Sequence, residues 1–324
     1  MVTNVSSKQV IYAALIGNIL ITIIKTGAAT WTDSAAMWSE AIHSFVDTGN
    51  ELLLLYGMRR AEQQADIEHP IGYGRELYFW SFIVALLVFA LGAGVSIYEG
   101  VLHLMKPQSI TDPIVSYVVL GLAFMFDGAS WLISLNQFKA SKGTLGYYDA
   151  FRRSKDPASF IVLFEDSVAL IGIVTAVIST YLATSLGLLA SDGIASILIG
   201  TILAGTAGLL ARESKSLLIG ERADHQLSAS LLSIANQLSP SVTTNGVLTV
   251  QLAPDQILAA MSIEFADNLK TSQIETLVVD IERLILVMHP EVVTFFVKPQ
   301  TATAFKESLQ LRFGLLDSLP EKTN

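Results

Sequence analysis

Six stretches of about 20 predominantly apolar residues run through the first two thirds of the chain, and each is long enough to cross a bilayer as a helix. The pattern therefore predicts a bundle of six transmembrane helices over residues 1–218. Their approximate limits are Val10–Thr30, Ala35–Met58, Leu77–Ile97, Ile114–Leu135, Ala158–Leu182 and Leu188–Ala211.

After about Leu218 the pattern changes to short apolar or alternating runs, which are typical of strands, with amphipathic helical runs between them. The order α-β-β-α-β predicts a small α+β domain over residues 219–300, followed by a tail or weak helix over residues 301–324. The predicted helices are Gln226–Gln237 and Ser272–Val287, and the predicted strands are Gly246–Leu252, Ile257–Phe265 and Val292–Lys298.

The second apolar stretch carries a polar stripe. Its polar positions step by three or four residues, so they share one face of a helix. Ionisable groups inside a membrane helix are costly and usually mark an ion pathway, although a buried stripe that only joins helices is the alternative. His43 and Asp47, at i and i+4, are spaced to hold one divalent metal. The stripe consists of Glu40, His43, Asp47, Asn50 and Glu51.

The fifth stretch offers a partner for this stripe. Glu165 and Asp166 follow the Asp156-Pro157 break by about eight residues, which places them roughly 10–12 Å from that end of the helix. Asp47 lies roughly 16 Å from the same side, so one metal could bridge the two helices. One imidazole and two or three carboxylates suit Zn²⁺ and tolerate Mn²⁺, Fe²⁺ or Co²⁺. The alternative is a carboxylate pair at a helix start near the membrane surface.

Two further spans carry single charges. Lys25 on the first span is either a snorkelling residue or a counter-charge to the carboxylates, and Asn18 lies one heptad before it on the same face. Asp127, near the middle of the fourth span, suggests a proton-handling group or a partner for Lys25. A helix–helix hydrogen bond is the alternative for Asp127.

Composition supports the membrane class. Of 324 residues, 52% are hydrophobic and 15% charged, with mean hydropathy +0.52, and the net charge of −9 disfavours a nucleic-acid partner. No cysteine is present, which excludes disulfides and thiolate metal sites. Lys and Arg concentrate in alternate loops, so both termini are expected in the cytoplasm. The short polar N-terminus, without a cleavage site, suggests an uncleaved first span and a prokaryotic inner membrane.

Four motifs, in this order, resemble the cation diffusion facilitator family of proton-coupled zinc and divalent-metal exporters. The Glu-Asp pair and the acidic residue in the fourth span resemble its mitochondrial-zinc-transporter-like branch. The resemblance covers nearly the whole chain and implies a ferredoxin-like cytoplasmic domain. The motifs are His43-Ser44-x-x-Asp47-Thr48-x-Asn50, then His69-Pro70-x-Gly72-Tyr73-Gly74-Arg75-Glu76, then Leu163-x-Glu165-Asp166-Ser167-x-Ala169-x-x-Gly172, and Ser191-Asp192-Gly193-x-Ala195-Ser196-x-x-x-Gly200.

The resemblance implies a transport site with two ligands four residues apart on each of spans two and five. His43, Asp47 and Asp166 match three of these positions. The fourth falls on Val162, which cannot bind metal. Glu165, water or Asn50 are the alternatives for the missing ligand.

Other family positions also depart from the pattern. The family's loop site would use Asp66 and a His at position 73, but position 73 is Tyr, so this site is expected to be absent. The C-terminal domain has only His225 and His289, so we expect it to dimerise without a binuclear metal cluster. Asp192 is interpreted first as a helix cap.

The expected function is proton-coupled efflux of a divalent metal, zinc first, by a homodimer in a lipid bilayer, with no prosthetic group. A family member that no longer transports, and acts as a partner subunit or regulator, is the alternative that Val162 keeps open. A membrane metallohydrolase is disfavoured, because the chain has no His-Glu-x-x-His helix and no Gly-x-Ser-x-Gly turn.

Overall fold

The computed structural model describes residues 7–107, 112–142 and 157–313, together with the single positions 146, 147 and 155. The chain divides into two compact units, Met1–Ser216 and Leu217–Asn324. The assignment of these units to a transport domain and a cytoplasmic domain stays a prediction.

The described part of the first unit consists of six long helices. The third helix contains a π-helical stretch at Val88–Ala93. The helix α1 packs along α2, and α4 packs along α5. The helices are α1 (Ser7–Thr32), α2 (Ala35–Ala61), α3 (Glu76–Met105), α4 (Pro113–Lys142), α5 (Pro157–Ser185) and α6 (Ala190–Ile219).

Four helices of the described residues are long and apolar enough to cross a membrane: α3, Pro113–Asn136 within α4, Ile161–Ser185 within α5, and α6. The fold class is therefore confirmed as a membrane-type helical unit followed by a small α/β unit. The sixfold span count stays a prediction for α1 and α2. In α2, the same charged stripe that suggests a function lowers the hydropathy of the helix.

The start of α2 is fixed by a carboxylate from another helix. Ser34 is the N-cap, and its hydroxyl oxygen accepts a hydrogen bond from the backbone N–H of Met37. Asp192, in the first turn of α6, accepts hydrogen bonds from the Ser34 hydroxyl and the Ala35 N–H. An anion at a helix N-terminus is stabilised by the helix dipole and the unsatisfied N–H groups. Asp192 is thus a cap, but it caps α2 rather than its own helix.

Glycines let α3 and α6 approach closely. A Cβ on Gly100 of α3 would lie 2.7 Å from the carbonyl oxygen of Gly193 in α6 and 2.8 Å from the backbone nitrogen of Ile197. A Cβ on Gly200 would lie 3.0 Å from the carbonyl oxygen of Ala93, at the end of the π-helical stretch. Small residues at such contacts are a common device of membrane helix pairs, because they allow close backbone packing.

The second unit is built around a three-stranded sheet of order β1-β2-β3, in which β1 and β2 are antiparallel and β2 and β3 are parallel. This α-β-β-α-β order matches the sequence prediction, and a further helix, α9, follows it. The elements are α7 (His225–Leu238), β1 (Val242–Ala253), β2 (Gln256–Phe265), α8 (Thr271–Met288), β3 (Val292–Pro299) and α9 (Ala302–Phe313).

Both α7 and α8 bury one face against the sheet. Leu231 of α7 and Ile281 and Ile285 of α8 are fully buried and share a core with Met261 of β2 and Phe295 of β3. The spacing of four between the two isoleucines places them on one helix face. The pattern of apolar positions thus accounts for both helices.

The ring of His289, just after α8, has a structural environment. Its Nε2 lies 2.7 Å from the hydroxyl of Ser230, and its Nδ1 lies 3.0 Å from a carboxylate oxygen of Glu291. Both ring nitrogens are therefore engaged in a contact that ties α7 to the start of β3.

We expect Gly100→Ala to lower the stability of the first unit by about 1–3 kcal/mol, because the new methyl group meets backbone atoms that cannot rotate away. Gly205→Ala on α6 is the matched control, since a Cβ there meets nothing within 4 Å. The control should be neutral or slightly stabilising. Thermal unfolding of the two purified variants in detergent measures the difference, and equal melting temperatures would contradict the close α3–α6 contact.

Candidate functional site

The polar stripe predicted on α2 faces the interior of the helical unit. Glu40 and Asn50 are fully buried and His43 is 1% exposed, whereas Asp47 keeps 17% of its side chain exposed. A helix that crosses a bilayer with such side chains must provide polar partners for them within the protein. Helix α1 provides partners for Glu40 and Glu51, and α5 provides one for Asn50.

A small polar cavity lies beside the stripe. Its volume of about 20 Å³ has room for one water molecule or one ion. Three of the four predicted ligands, Asp47, Glu165 and Asp166, line it, and so does Asp127. His43 lies next to it, with Nδ1 at 3.4 Å from Asp47 Oδ1. The lining residues are Asn18, Ser44, Asp47, Glu51, Asp127, Val162, Glu165, Asp166 and Ala169.

The two acidic residues of α5 have different partners. Glu165 is 7% exposed and accepts a hydrogen bond of 2.7 Å from the side-chain amide of Asn50 on α2. Asp166 accepts hydrogen bonds from the hydroxyls of Ser130 and Ser134 on α4, at 3.0 and 3.3 Å. Neighbouring positions on a helix point about 100° apart, which accounts for this division. The pair is therefore part of the helix interior rather than a solvated helix start.

Several buried nitrogen and oxygen atoms that could coordinate a metal have no hydrogen-bond partner among the described residues. They are Oε1 of Glu40, both ring nitrogens of His43, Oδ1 of Asp47, Oδ1 of Asn50 and Oε2 of Glu51. Imidazole nitrogen and carboxylate oxygen are the ligands that Zn²⁺ takes when thiolates are lacking. However, within the part of the chain that the structure describes, no three His, Asp or Glu groups already converge closely enough to hold a metal.

Lys25 is buried and paired. Its ammonium lies 3.2 Å from Glu40 Oε2 and 3.4 Å from Asp127 Oδ2, and it donates a hydrogen bond of 2.9 Å to the hydroxyl of Ser44. With an exposed fraction of 0%, Lys25 does not extend to a membrane surface. We call Lys25, Glu40, Asp127 and Ser44 the Lys25 network. It joins α1, α2 and α4, and two of its members, Asp127 and Ser44, also line the cavity.

Gly172 of α5 leaves the space that the Glu40 carboxylate occupies. A Cβ at position 172 would collide with Glu40 Oε1, so the carboxylate lies directly against the backbone of α5. This glycine belongs to the motif of the fifth span, and its role there is steric.

The sequence patterns placed Glu51 in the polar stripe of α2 but did not predict it as a metal ligand. It lines the cavity, and its Oε1 accepts a hydrogen bond of 2.8 Å from the side-chain amide of Asn18 on α1. Its spacing of four residues from Asp47 indicated the shared helix face, and the same spacing is the signal that could have marked it as a ligand. The serines 130 and 134 carry no comparable signal, since serine is common in helices that pack together.

The loop between α2 and α3 holds a hydrogen-bonded turn at the positions that the family's loop site would use. The hydroxyl of Tyr73 donates to Asp66 at 2.7 Å, and the backbone N–H of His69 donates to the same carboxylate at 2.6 Å. The rings of His69 and Tyr73 stack with centroids 4.3 Å apart. The Tyr73 and His69 hydrogen bonds lower the pKa of Asp66, and the bond to Asp66 raises the pKa of Tyr73.

With this geometry in place, comparison with known proteins identifies the helical unit. The family model for the cation efflux transmembrane domain matches residues 11–219, which is more than half of the chain. The chain belongs to the cation efflux family. The match ends where the last helix of the first unit ends, so it covers every helix that borders the cavity.

Three curated proteins illustrate the range of relatives of this cation efflux family member. The proton-coupled zinc antiporter SLC30A9, mitochondrial, of Mus musculus is 35% identical over 183 residues, 56% of this chain and 31% of the relative. Metal tolerance protein C4 of Arabidopsis thaliana is 31% identical over 228 residues, 70% of this chain and 50% of the relative. The cation-efflux pump FieF of Escherichia coli O1:K1 is 26% identical over 150 residues, 44% and 49%. The chain thus matches about a third to a half of the length of these relatives.

We expect Lys25→Met to destabilise the first unit by about 3–5 kcal/mol, because it leaves the buried carboxylates of Glu40 and Asp127 without a cation. The double variant Lys25→Met with Glu40→Gln should recover part of this loss, since it removes the uncompensated charge of Glu40, the more deeply buried of the two carboxylates. Lys306→Met, at an exposed position of α9, is the control. Thermal unfolding in detergent measures the three effects, and a Lys25→Met variant as stable as wild type would contradict the network.

We expect Asp66→Asn to lower the pKa of Tyr73 toward that of an ordinary tyrosine, because the charged acceptor is removed. The lowered pKa of Asp66 also predicts how the stability of this turn changes with pH. Its hydrogen bonds are fully present above the ordinary aspartate pKa and are lost as the pH falls through the lowered value. Ultraviolet titration of tyrosinate, with Tyr73→Phe subtracted, follows the change. An unchanged Tyr73 titration in Asp66→Asn would show that the turn is not formed.

Proposed function

We propose that this protein exports a divalent metal cation from the cytoplasm in exchange for protons, and that the metal binds between α2 and α5. The observation that carries the proposal is the small cavity that Asp47 and Asp166 both line. The imidazole of His43 lies beside it and has no hydrogen-bond partner among the described residues. His43, Asp47 and Asp166 are the proposed ligands, and Glu165 is proposed as a further oxygen donor in the same cavity.

The chemistry of these groups couples metal to protons. Imidazole and carboxylates bind a metal only after they have lost their protons, so metal binding releases protons and protonation releases metal. A proton gradient across the membrane can therefore drive the metal against its own gradient if the helices alternate between two openings. The ligands would have to approach one another by side-chain rotation, because no three of the His, Asp and Glu groups among the described residues converge closely enough to hold a metal.

Zinc is the proposed substrate. One imidazole nitrogen and two or three carboxylate oxygens form a set that Zn²⁺ accepts in a tetrahedral site. The same set suits Mn²⁺, Fe²⁺ and Co²⁺, so the order of preference has to be measured. The similarity to a proton-coupled zinc antiporter favours zinc among these metals.

The Lys25 network is proposed to balance charge at the cavity. Asp127 lies 3.4 Å from the Lys25 ammonium and also lines the cavity, so its carboxylate is shared between a fixed cation and the transported one. We propose Asp127 as a proton or charge partner of the site, and Asn50 as the residue that holds Glu165 in place.

The proposal includes the orientation of the protein in the membrane, its location and its assembly. The concentration of Lys and Arg in alternate loops supports cytoplasmic termini. We propose a prokaryotic inner membrane as the location and a homodimer as the assembly. A non-transporting member, acting as a partner subunit or regulator, is the second candidate, because Val162 occupies a ligand position of the family pattern and cannot coordinate a metal.

We expect proteoliposomes that contain the protein to move Zn²⁺ when a pH gradient is imposed, and Asp47→Asn and Asp166→Asn each to reduce this flux by at least about tenfold. Mn²⁺, Fe²⁺ and Co²⁺ are tested in parallel to rank the substrates. Glu213→Gln on α6, which is not among the residues that line the cavity, is the matched control.

A protonophore provides the test of coupling, because it should abolish flux against the metal gradient without changing the protein. If the folded wild-type protein moves none of the four metals, the exporter is excluded and the non-transporting member remains. If flux survives in both aspartate variants, the site between α2 and α5 is wrong.

A further inference from the structure

We propose that Glu51 of α2 supplies the metal ligand that Val162 of α5 cannot provide, so that two carboxylates and an imidazole of α2 act with Asp166. The inference rests on the proposed function, because it names a further ligand of the same site. It goes beyond the ligands that the motifs indicate, since position 51 lies outside the ligand pattern of the family resemblance.

The relative direction of α2 and α5 places Glu51 at the right depth. Two contacts define the register: Glu40 lies against Gly172, and Asn50 binds Glu165. Because the residue number falls along α5 as it rises along α2, the helices run antiparallel. Extending this register by one residue puts position 51 opposite position 164, about 3 Å along the helix axis from Val162 and within one helical turn of it.

The cavity wall brings the same positions together. Asp47 and Glu51 are four residues apart on α2, and Val162 and Asp166 are four residues apart on α5, so each pair shares a helix face. All four side chains line the cavity. Three of them carry carboxylates, and the fourth is an aliphatic side chain. The missing oxygen on α5 is therefore matched by an additional oxygen on α2, across the same small space.

The hydrogen bonding of Glu51 leaves one oxygen for a cation. Asn18 donates to Oε1, which orients the carboxylate, while Oε2 is buried and has no hydrogen-bond partner among the described residues. A buried carboxylate oxygen without a donor is unfavourable unless a cation or a proton occupies it. The ammonium of Lys25 contacts Glu40 and Asp127 rather than this oxygen. Asn18 is thus a positioning residue.

The other candidates for the fourth ligand fit less well. Glu165 lines the cavity but lies about 4.5 Å along α5 from Val162, at the level of Asp166, and its Oε1 is bound to Asn50. Asn50 is not among the lining residues, although its Oδ1 is unpartnered in the described part of the chain. Glu51 alone among these three residues combines a place on the cavity wall with a buried carboxylate oxygen that has no hydrogen-bond partner among the described residues.

The test measures metal binding by calorimetry on the full-length protein in detergent, with Zn²⁺ and Co²⁺ as the probes. The visible absorption of Co²⁺ reports its coordination directly, without any transport. We expect Glu51→Gln to weaken binding by at least about tenfold and to change the Co²⁺ spectrum. Glu213→Gln is the matched control, and Asp47→Asn gives the loss expected for a ligand of the proposed site.

Moving the carboxylate from position 51 of α2 to position 162 of α5 tests the assignment of Glu51 specifically. Glu51→Ala should weaken binding like Glu51→Gln, and adding Val162→Asp to Glu51→Ala should restore the affinity to within about threefold of wild type by returning a carboxylate to the α5 side. Rescue requires that the double variant be folded, so a misfolded Glu51→Ala protein cannot imitate this result. Asn18→Ala should weaken binding less than Glu51→Gln does, as expected for a residue that acts through another.

The failure of this inference differs from that of the proposed function. If the wild type binds Zn²⁺, Asp47→Asn loses it and Glu51→Gln binds as tightly as wild type, the assignment of Glu51 is overturned and the exporter stands. If neither probe binds the folded wild type, the exporter proposal falls and the assignment of Glu51 falls with it. Failure of Val162→Asp to restore binding in a folded Glu51→Ala protein would also overturn the assignment.

Discussion

The buried ammonium of Lys25 is the constraint on which the helical unit depends. A charge with no exposure to water is tolerated in a membrane-spanning bundle only when opposite charges surround it. Glu40 at 3.2 Å and Asp127 at 3.4 Å meet this requirement from two different helices. The requirement fixes the relative rotation of α1, α2 and α4, because a small rotation of any of them would separate a charge from its partner.

The same constraint shapes the candidate metal cavity. The Lys25 network and the cavity share Ser44 and Asp127, so the charge of one influences the other. Carboxylates crowd this region from α2, α4 and α5, and a single lysine does not neutralise them all. A cation that enters the cavity, or protons that replace it, would complete the balance. Packing and proposed transport therefore rest on one set of side chains.

Much of the fold and part of the candidate site could be predicted from the sequence, because long apolar runs and patterns of period 3.6 depend on local information. The six helices, the α-β-β-α-β order and the inward face of α2 follow from such patterns. Partnerships between distant segments could not be predicted in this way. Nothing local to Asp192 indicates that it caps α2, and nothing near Glu51 indicates that Asn18 orients it. The Tyr at position 73 was visible, but its hydrogen bond to Asp66 was not.

The cap that Asp192 gives to α2 has a mechanical consequence. The end of α2 at Ala35 is anchored to α6, whereas Glu51 lies about 24 Å further along the helix axis. If α2 pivots about this anchor when its other contacts break, the displacement of each residue grows with its distance from Ala35. A tilt of about 5° at Ala35 would move Glu51 by about 2 Å, roughly the length of a metal–ligand bond, while His43 would move about half as far. The lever arm of α2 would thus loosen the proposed ligands one after another rather than all at once.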